Sequence, residues 1–201
     1  MSEIAINIDS TGIEEAQRLL QNVKGGAQPA IMQALNVTAA GIKTDGSREA
    51  SKVFYVNRDT VRSRMQVSKA TTNNLRIIVS RKGPRFFARR FPHDANTRPG
   101  VKGGSPVFLR TRRDGSGVSL DAEGKLSKAF VATLPNRGRG IYRRIGPHRD
   151  RLTHARGLSV PDMLGAPDVR SVVQEGASKR LRSEIDRQVK LILEKSEGGL
   201  T

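Results

Sequence analysis

Arginine is the residue whose placement in this chain promises the most chemistry. Between Arg81 and Arg113 there are ten basic residues and one acid, Asp94, and between Arg137 and Arg156 seven basic residues and one acid, Asp150. The two windows carry +9 and +6 of a formal net charge of +17, so the rest of the chain is close to balanced. Guanidinium forks match phosphate and carboxylate oxygens two at a time. The chemistry implied is therefore recognition of a polyanion, either nucleic acid or an acidic protein surface, and composition does not separate the two. The candidate contact residues are Arg81, Lys82, Arg85, Arg89, Arg90, Arg110, Arg112, Arg113, Arg137, Arg139, Arg143, Arg144, Arg149 and Arg151. In Arg85-Phe86-Phe87-Ala88-Arg89-Arg90-Phe91 aromatic rings interleave with arginines, a pattern able to stack bases while gripping a backbone. The chain has six Phe and no Trp to fill a core, which favours packed rings with a solvated arginine face. No helix-turn-helix, zinc-finger or RNP-type signature accompanies the charge, so base-specific reading is not expected.

Signals for catalysis are weak. His93, His148 and His154 are the only histidines, and cysteine is absent. His148 and His154 with Asp150 between them resemble a metal site only loosely, in a basic loop that repels cations. Gly115-Ser116-Gly117 lacks the strand-to-helix setting of a nucleophile elbow and reads as a turn. Gly100–Gly104 and Arg137-Gly138-Arg139-Gly140 lack the Gly-Lys-Ser/Thr ending of a phosphate-binding loop and read as hairpin turns. The acids stand isolated among arginines, so no cluster is available to hold the magnesium of a nuclease. Asn36-Val37-Thr38 fits a glycosylation pattern but falls inside an expected helix. A non-enzymatic protein with no cofactor and no bound metal is expected.

The frame that must carry these arginines is 201 residues long, with 36% hydrophobic residues and a pI near 11.2. That apolar content is below the usual for a globular domain, which predicts a small aliphatic core and some burial supplied by assembly. The opening MSEIAINIDS has no apolar run, so no signal peptide is expected. No stretch approaches the ~18 apolar residues of a membrane span. Synthesis in the cytoplasm without membrane contact is the expectation.

Periodicity places helices toward both ends and strands between. Ile4, Ile6 and Ile8 alternate as a half-buried strand. Ser10 or Thr11 then caps a helix presenting Ile13, Ala16, Leu19, Leu20 and Val23, which stops at Gly25-Gly26. Pro29 opens a longer helix with Ile31, Ala34, Leu35, Thr38, Ala39, Ile42, Ala50, Val53 and Phe54 on one stripe. Gly46 is a weak patch in it, and Ala39-Ala40-Gly41 allow close approach of another element. Asn57 caps a short helix over about Arg58–Met65. Expected strands are Leu75–Ser80, Arg85–Phe91, Pro106–Thr111, Ala129–Leu134 and Gly140–Ile145, with Gly- and Pro-rich connections. Pro147 to Gly157 reads as a polar basic loop, and Val160–Leu164 as a helical turn docking on the sheet. Val169, Val172, Val173, Ala177, Leu181, Ile185, Val189 and Ile192 define the stripe of a final helix of about 25 residues, roughly 40 Å long.

In order and spacing, three segments resemble the prophage minor tail protein Z family of tailed bacteriophages, over roughly residues 29 to 195. They are the helix Ala34–Thr44 running on to Val61-Arg62, the strand Ala129–Leu134 followed by Gly140–Arg144, and Leu158–Gly165 leading into the last helix. The resemblance implies a virion protein that completes the tail at its head-proximal end, in the neck, and joins tail to head around the DNA channel. It implies an α+β fold, long helices packed on a central antiparallel sheet with long basic loops, repeated as a homo-oligomeric ring. Expected partners are other tail and connector proteins and, without base specificity, genomic DNA in the channel. No break divides the chain, so a single domain over 1–201 is expected, with a helical part at 1–65, sheet and loops at 66–146, and a C-terminal helical part at 158–195. A soluble, non-specific nucleic-acid-binding or packaging protein is the alternative.

Overall fold

The computed structural model describes residues 14, 17–18, 20–21, 27–72, 75, 77, 79, 83–94, 107–119, 129–145 and 151–198. The Ile4–Ile8 strand, most of the 10–23 helix and the 95–106 connection lie outside them. Glu14, Gln17 and Arg18 are helical as expected, and Leu20 is buried.

Helix α1 spans Ala27–Val53 and runs unbroken through Gly46. Its buried side carries Ile31, Ala34, Leu35, Thr38, Ala39, Ile42 and Ala50, the periodic positions of one face. Gly46 is a packing site: a Cβ there would meet the Leu164 and Met65 side chains at 3.1 Å. Helix α2, Arg58–Arg64, starts where Asn57 accepts a hydrogen bond from the Asp59 amide at 2.8 Å. The chain after α2 is then pinned to α1 by Asn36, whose side-chain amide donates to the Ala70 carbonyl (3.2 Å) and accepts from the Ala70 N–H (2.9 Å). That residue, part of an apparent glycosylation pattern, acts as a backbone clamp.

Among the described residues, six short strands form two antiparallel sheets of three. The first contains β1 (His93–Asp94), β2 (Phe108–Arg110) and β3 (Gly117–Ser119). Its β2–β3 turn has Gly115 at φ +88°, in the left-handed region glycine tolerates, and the Asp114 carboxylate accepts from the Ser116 N–H at 2.8 Å. The hairpin docks on the end of α1, with the Tyr55 amide donating to the Thr111 carbonyl and the Arg113 amide to that of Val53. The second sheet contains β4 (Phe130–Leu134), β5 (Gly138–Arg144) and β6 (Leu152–His154). Its β4–β5 connection is the three-residue loop Pro135–Arg137, followed by Gly138 at φ +67° as the first residue of β5, a tight hairpin geometry.

Two expected elements are corrected. Arg85–Phe91 is not a strand: Phe86 and Ala88 hydrogen-bond to the 155–158 backbone on either side of an isolated Phe87–Arg156 bridge, and Ala88–Arg90 then form a 3-10 turn. Phe86, Ala88 and Phe91 are all buried, and the turn is what points all three inward. Strand alternation could not have done so. Pro147–Gly157 is not wholly loop, because β6 pairs Leu152–His154 with β5 through Tyr142–His154, Arg143–Thr153 and Arg144–Leu152. Of the expected strand Leu75–Ser80, residues 76, 78 and 80 lie outside the described residues, and Val79 forms an isolated antiparallel bridge with Val67.

Helix α3, Val160–Leu164, is opened by Ser159, whose hydroxyl and backbone amide exchange hydrogen bonds with Asp162 in a capping box. It packs against both long helices rather than standing on a sheet alone. Helix α4, Pro167–Gly198, is seven residues longer than the sequence stripe suggested. The stripe Val169, Val173, Ala177, Leu181, Ile185, Val189 advances in steps of four and so drifts about 40° per step around a helix of 3.6 residues per turn. Val172 lies some 60° to the trailing side of Val169 and is 48% exposed, a correction to its expected core position. The drift gives α4 two sets of neighbours. Its first half joins Ile42, Ala50, Phe54, Val61, Phe86, Leu109 and Ile141 in one core, and its second half joins Ile31, Leu35 and Ala70 in another. Helices α1 and α4 therefore run antiparallel. Helices flank antiparallel sheets, an α+β architecture, as the sequence suggested.

A candidate polyanion-binding face

Strand alternation determines where the arginines go. On β5, Ile141 faces the core, and Arg139 and Arg143 stand on either side of it, both exposed. The opposite side of β5 carries Gly140, Tyr142 and Arg144. Tyr142 is completely buried because the β4–β5 turn folds back over it. Its hydroxyl lies 3.0 Å from the Arg137 carbonyl and 2.9 Å from that of Gly138, while the Arg137 guanidinium donates to the Leu152 carbonyl at 2.7 Å. Gly140 leaves room for this ring, since a Cβ there would stand 3.2 Å from it.

From Tyr142 a row of rings leads to the surface. His154, its cross-strand partner, stacks on it with centroids 4.7 Å apart. Phe87 meets His154 edge-on at 5.2 Å, and the guanidinium groups of Arg156 (5.1 Å) and Arg89 (5.8 Å) lie over the Phe87 ring. Arg64 and Arg90 lie over the buried Phe86, and Arg144 over Phe130. Each such contact is worth roughly 0.5–1 kcal/mol at an exposed site, and a guanidinium lying flat on a ring keeps its N–H edges available to oxyanions.

The expected contact residues divide accordingly. Arg89, Arg90, Arg139, Arg143 and Arg151 are exposed. Among the described residues none of them, nor Arg156, has a carboxylate within ion-pair distance. Arg85, Arg110, Arg137 and Arg144 are exposed and engaged in contacts within the chain. Arg112 and Arg113 hold the fold together. Arg112 pairs with Asp168 at the start of α4 and with Asp114, and lies over Phe54; Arg113 lies over Tyr55 and donates to the Ser51 carbonyl at 3.0 Å. The hydrogen bond that the Arg112 guanidinium donates to Asp168 raises the Arg112 pKa above its ordinary value, and the Ser116 hydroxyl and amide, then Arg112, hold the Asp114 carboxyl below its own. Arg81, Lys82 and Arg149 lie outside the described residues. Arg156, His154 and the exposed Phe87 were not among the expected contacts. Arg156 lies at the edge of the second arginine window, Phe87 within the mixed Arg/Phe run over 85–91, and the pairing of β6 with β5 is what brings in His154.

Among the described residues no group of three or more His, Asp or Glu side chains converges as a metal site; the His93 ring nitrogen instead lies 2.9 Å from the Phe91 carbonyl. No helix among them is long and apolar enough to cross a membrane. What the arrangement offers chemically is two sets of guanidinium groups, one braced by the rings of Phe86 and Phe87 and one exposed on the other side of β5, both open to phosphate or carboxylate. A family model described as prophage minor tail protein Z matches residues 11–195. Comparison with curated proteins and with solved structures gives no match.

Proposed function

The chain belongs to the prophage minor tail protein Z family, and from that premise we propose that it completes the tail of a long-tailed phage at its head-proximal end and joins tail to head around the DNA channel. It is a minor tail protein, a structural component of the virion that works among other virion proteins. The observation that carries the finer reading is the family match over nearly the whole chain, so the arginine face and the helical pair belong to one family unit.

In this reading the subunits form a ring, with basic faces directed at the acidic surfaces of neighbouring tail or connector proteins or at DNA phosphates. Closed rings put the same surface of every subunit in the same setting, so a charge already large in each subunit repeats around the channel. Contact with DNA would be through the backbone, without base specificity. The test is deletion of the gene and imaging of the lysate. Full heads beside finished but unjoined tails, or joined particles that fail to infect, are the expected result; normal infectious particles, or a protein found only in the baseplate, would overturn the assignment. The carboxylate-free arginines also suit a soluble packaging protein, for which the free monomer should bind DNA tightly and with steep salt dependence.

A further inference from the structure

We infer that Phe87, flanked by Arg89 and Arg156, anchors an acidic segment of a protein partner that inserts an apolar side chain beside its carboxylates. Among the described residues Phe87 is the aromatic ring left substantially exposed, at 37%, while Phe86 and Phe91 beside it are 1% and 2% exposed. A lone exposed apolar side chain means little. This one is braced: His154 packs edge-on against it, two guanidinium groups lie over it, and Arg156 also reaches the Arg85 carbonyl at 3.4 Å. An ordered aromatic among arginines is the composition of interface anchors, and little side-chain freedom remains to be lost on binding.

Charge complementarity names the partner as acidic, because neither Arg89 nor Arg156 has a carboxylate within ion-pair distance among the described residues. The ring separates protein from nucleic acid. A stacking base would compete with both guanidinium groups for the ring face, and in duplex DNA it would first have to leave its own stack, at a cost of a few kcal/mol per step. An acidic protein segment avoids both demands, since its carboxylates take the N–H edges of guanidinium groups still resting on the ring, and its apolar side chain covers the part of Phe87 now in water.

The inference deepens the reading of the arginine face as a contact with a virion neighbour, and its test is independent of where the protein sits in the particle. Affinities of the full chain for poly-glutamate, for a glutamate–tyrosine copolymer of equal charge and for a 30-base-pair DNA duplex are compared by fluorescence anisotropy at one ionic strength. The copolymer should bind roughly tenfold tighter than poly-glutamate, the gain expected of one anchoring aromatic. Phe87→Ala should erase that tenfold while leaving poly-glutamate and DNA within twofold, and Phe87→Leu should keep part of it. An unchanged melting temperature for either variant shows that the fold is intact. Equal affinity for the two polymers, or an equal loss of DNA binding in Phe87→Ala, would overturn the inference. So would loss of self-association in sedimentation, which would make a second copy the occupant.

Discussion

On the two long helices acids sit beside bases: Asp45 holds Arg48 and Arg180, Glu49 holds Lys52, Glu175 holds Lys179, and Glu184 holds Arg187. Around β5, β6 and the 3-10 turn, Arg89, Arg90, Arg144 and Arg156 rest on aromatic rings, and Arg139, Arg143 and Arg151 face solvent. The difference teaches which half of the molecule is finished when the chain folds. Charges balanced within a helix add no net field, so α1 and α4 can be judged by the apolar side chains between them. Unbalanced guanidinium groups repel one another until an anion arrives. The helical charges are satisfied within the fold, and the exposed arginines of the sheet half are left for a partner.

The strongest way to break that division is to damage the helical core and look for an effect on binding. Leu181 is 2% exposed between α4 and α1, and Leu181→Ala should cost about 3 kcal/mol in a denaturant melt. The fraction still folded should bind DNA or poly-glutamate with unchanged affinity. The reciprocal change is the triple Arg139→Gln, Arg143→Gln, Arg151→Gln. It should reduce the salt slope of polyanion binding by about three, one per lost contact, with stability inside about 0.5 kcal/mol of the parent. A large stability change in the triple variant would show that these arginines hold the fold after all.

Sequence reading succeeded where the apolar period was long and failed where tertiary contact decides. The stripe from Val169 to Val189 was plain, because every fourth residue must be buried for so long a helix to pack; Asn57 marked a helix start through a side chain able to cap, whereas the Ser159 capping box emerged only in the structure. The three-residue β6 has too few positions to show alternation, and its existence depends on β5 lying beside it. The 85–91 segment mixes aromatic and basic residues as a strand could, yet burying Phe86, Ala88 and Phe91 together requires the 3-10 turn that the Arg90 and Phe91 amides close on the Phe87 and Ala88 carbonyls. Arginine windows were legible as charge. Their division was not: Arg112 and Arg113 face the end of α1 and the start of α4, more than fifty residues away in sequence.

A smaller effect is expected at the Asp45–Arg180 pair, which joins α1 to α4 at 2.9 Å with Asp45 14% exposed. Arg180 lies across Gly41, where a Cβ would take the place of its guanidinium. Asp45→Asn should cost about 1 kcal/mol, as a partly exposed pair does, and leave polyanion binding alone. Gly41→Ala should displace Arg180 and make the Asp45→Asn cost largely vanish in the double variant, which a double-mutant cycle reads directly.

The smallest effect is at Asp114, where the two manners of holding charge meet. Its carboxyl is held below its ordinary value by the Ser116 hydroxyl and amide and then by Arg112, whose other partner, Asp168, opens α4. A carboxyl lowered by folding contributes stability that is fully present above its unfolded pKa, about 4, and is lost as pH falls through the lowered folded value. Asp114→Asn should therefore melt below the parent by a small, constant margin above about pH 5, and the margin should close as both are acidified. Arg112 would still hold Asp168 and rest on Phe54 in that variant, so the margin should stay small. A large margin, or one that persists at pH 2, would mean that Arg112 grips the β2–β3 turn chiefly through Asp114, and that the sheet half depends on an ion pair as the helices do.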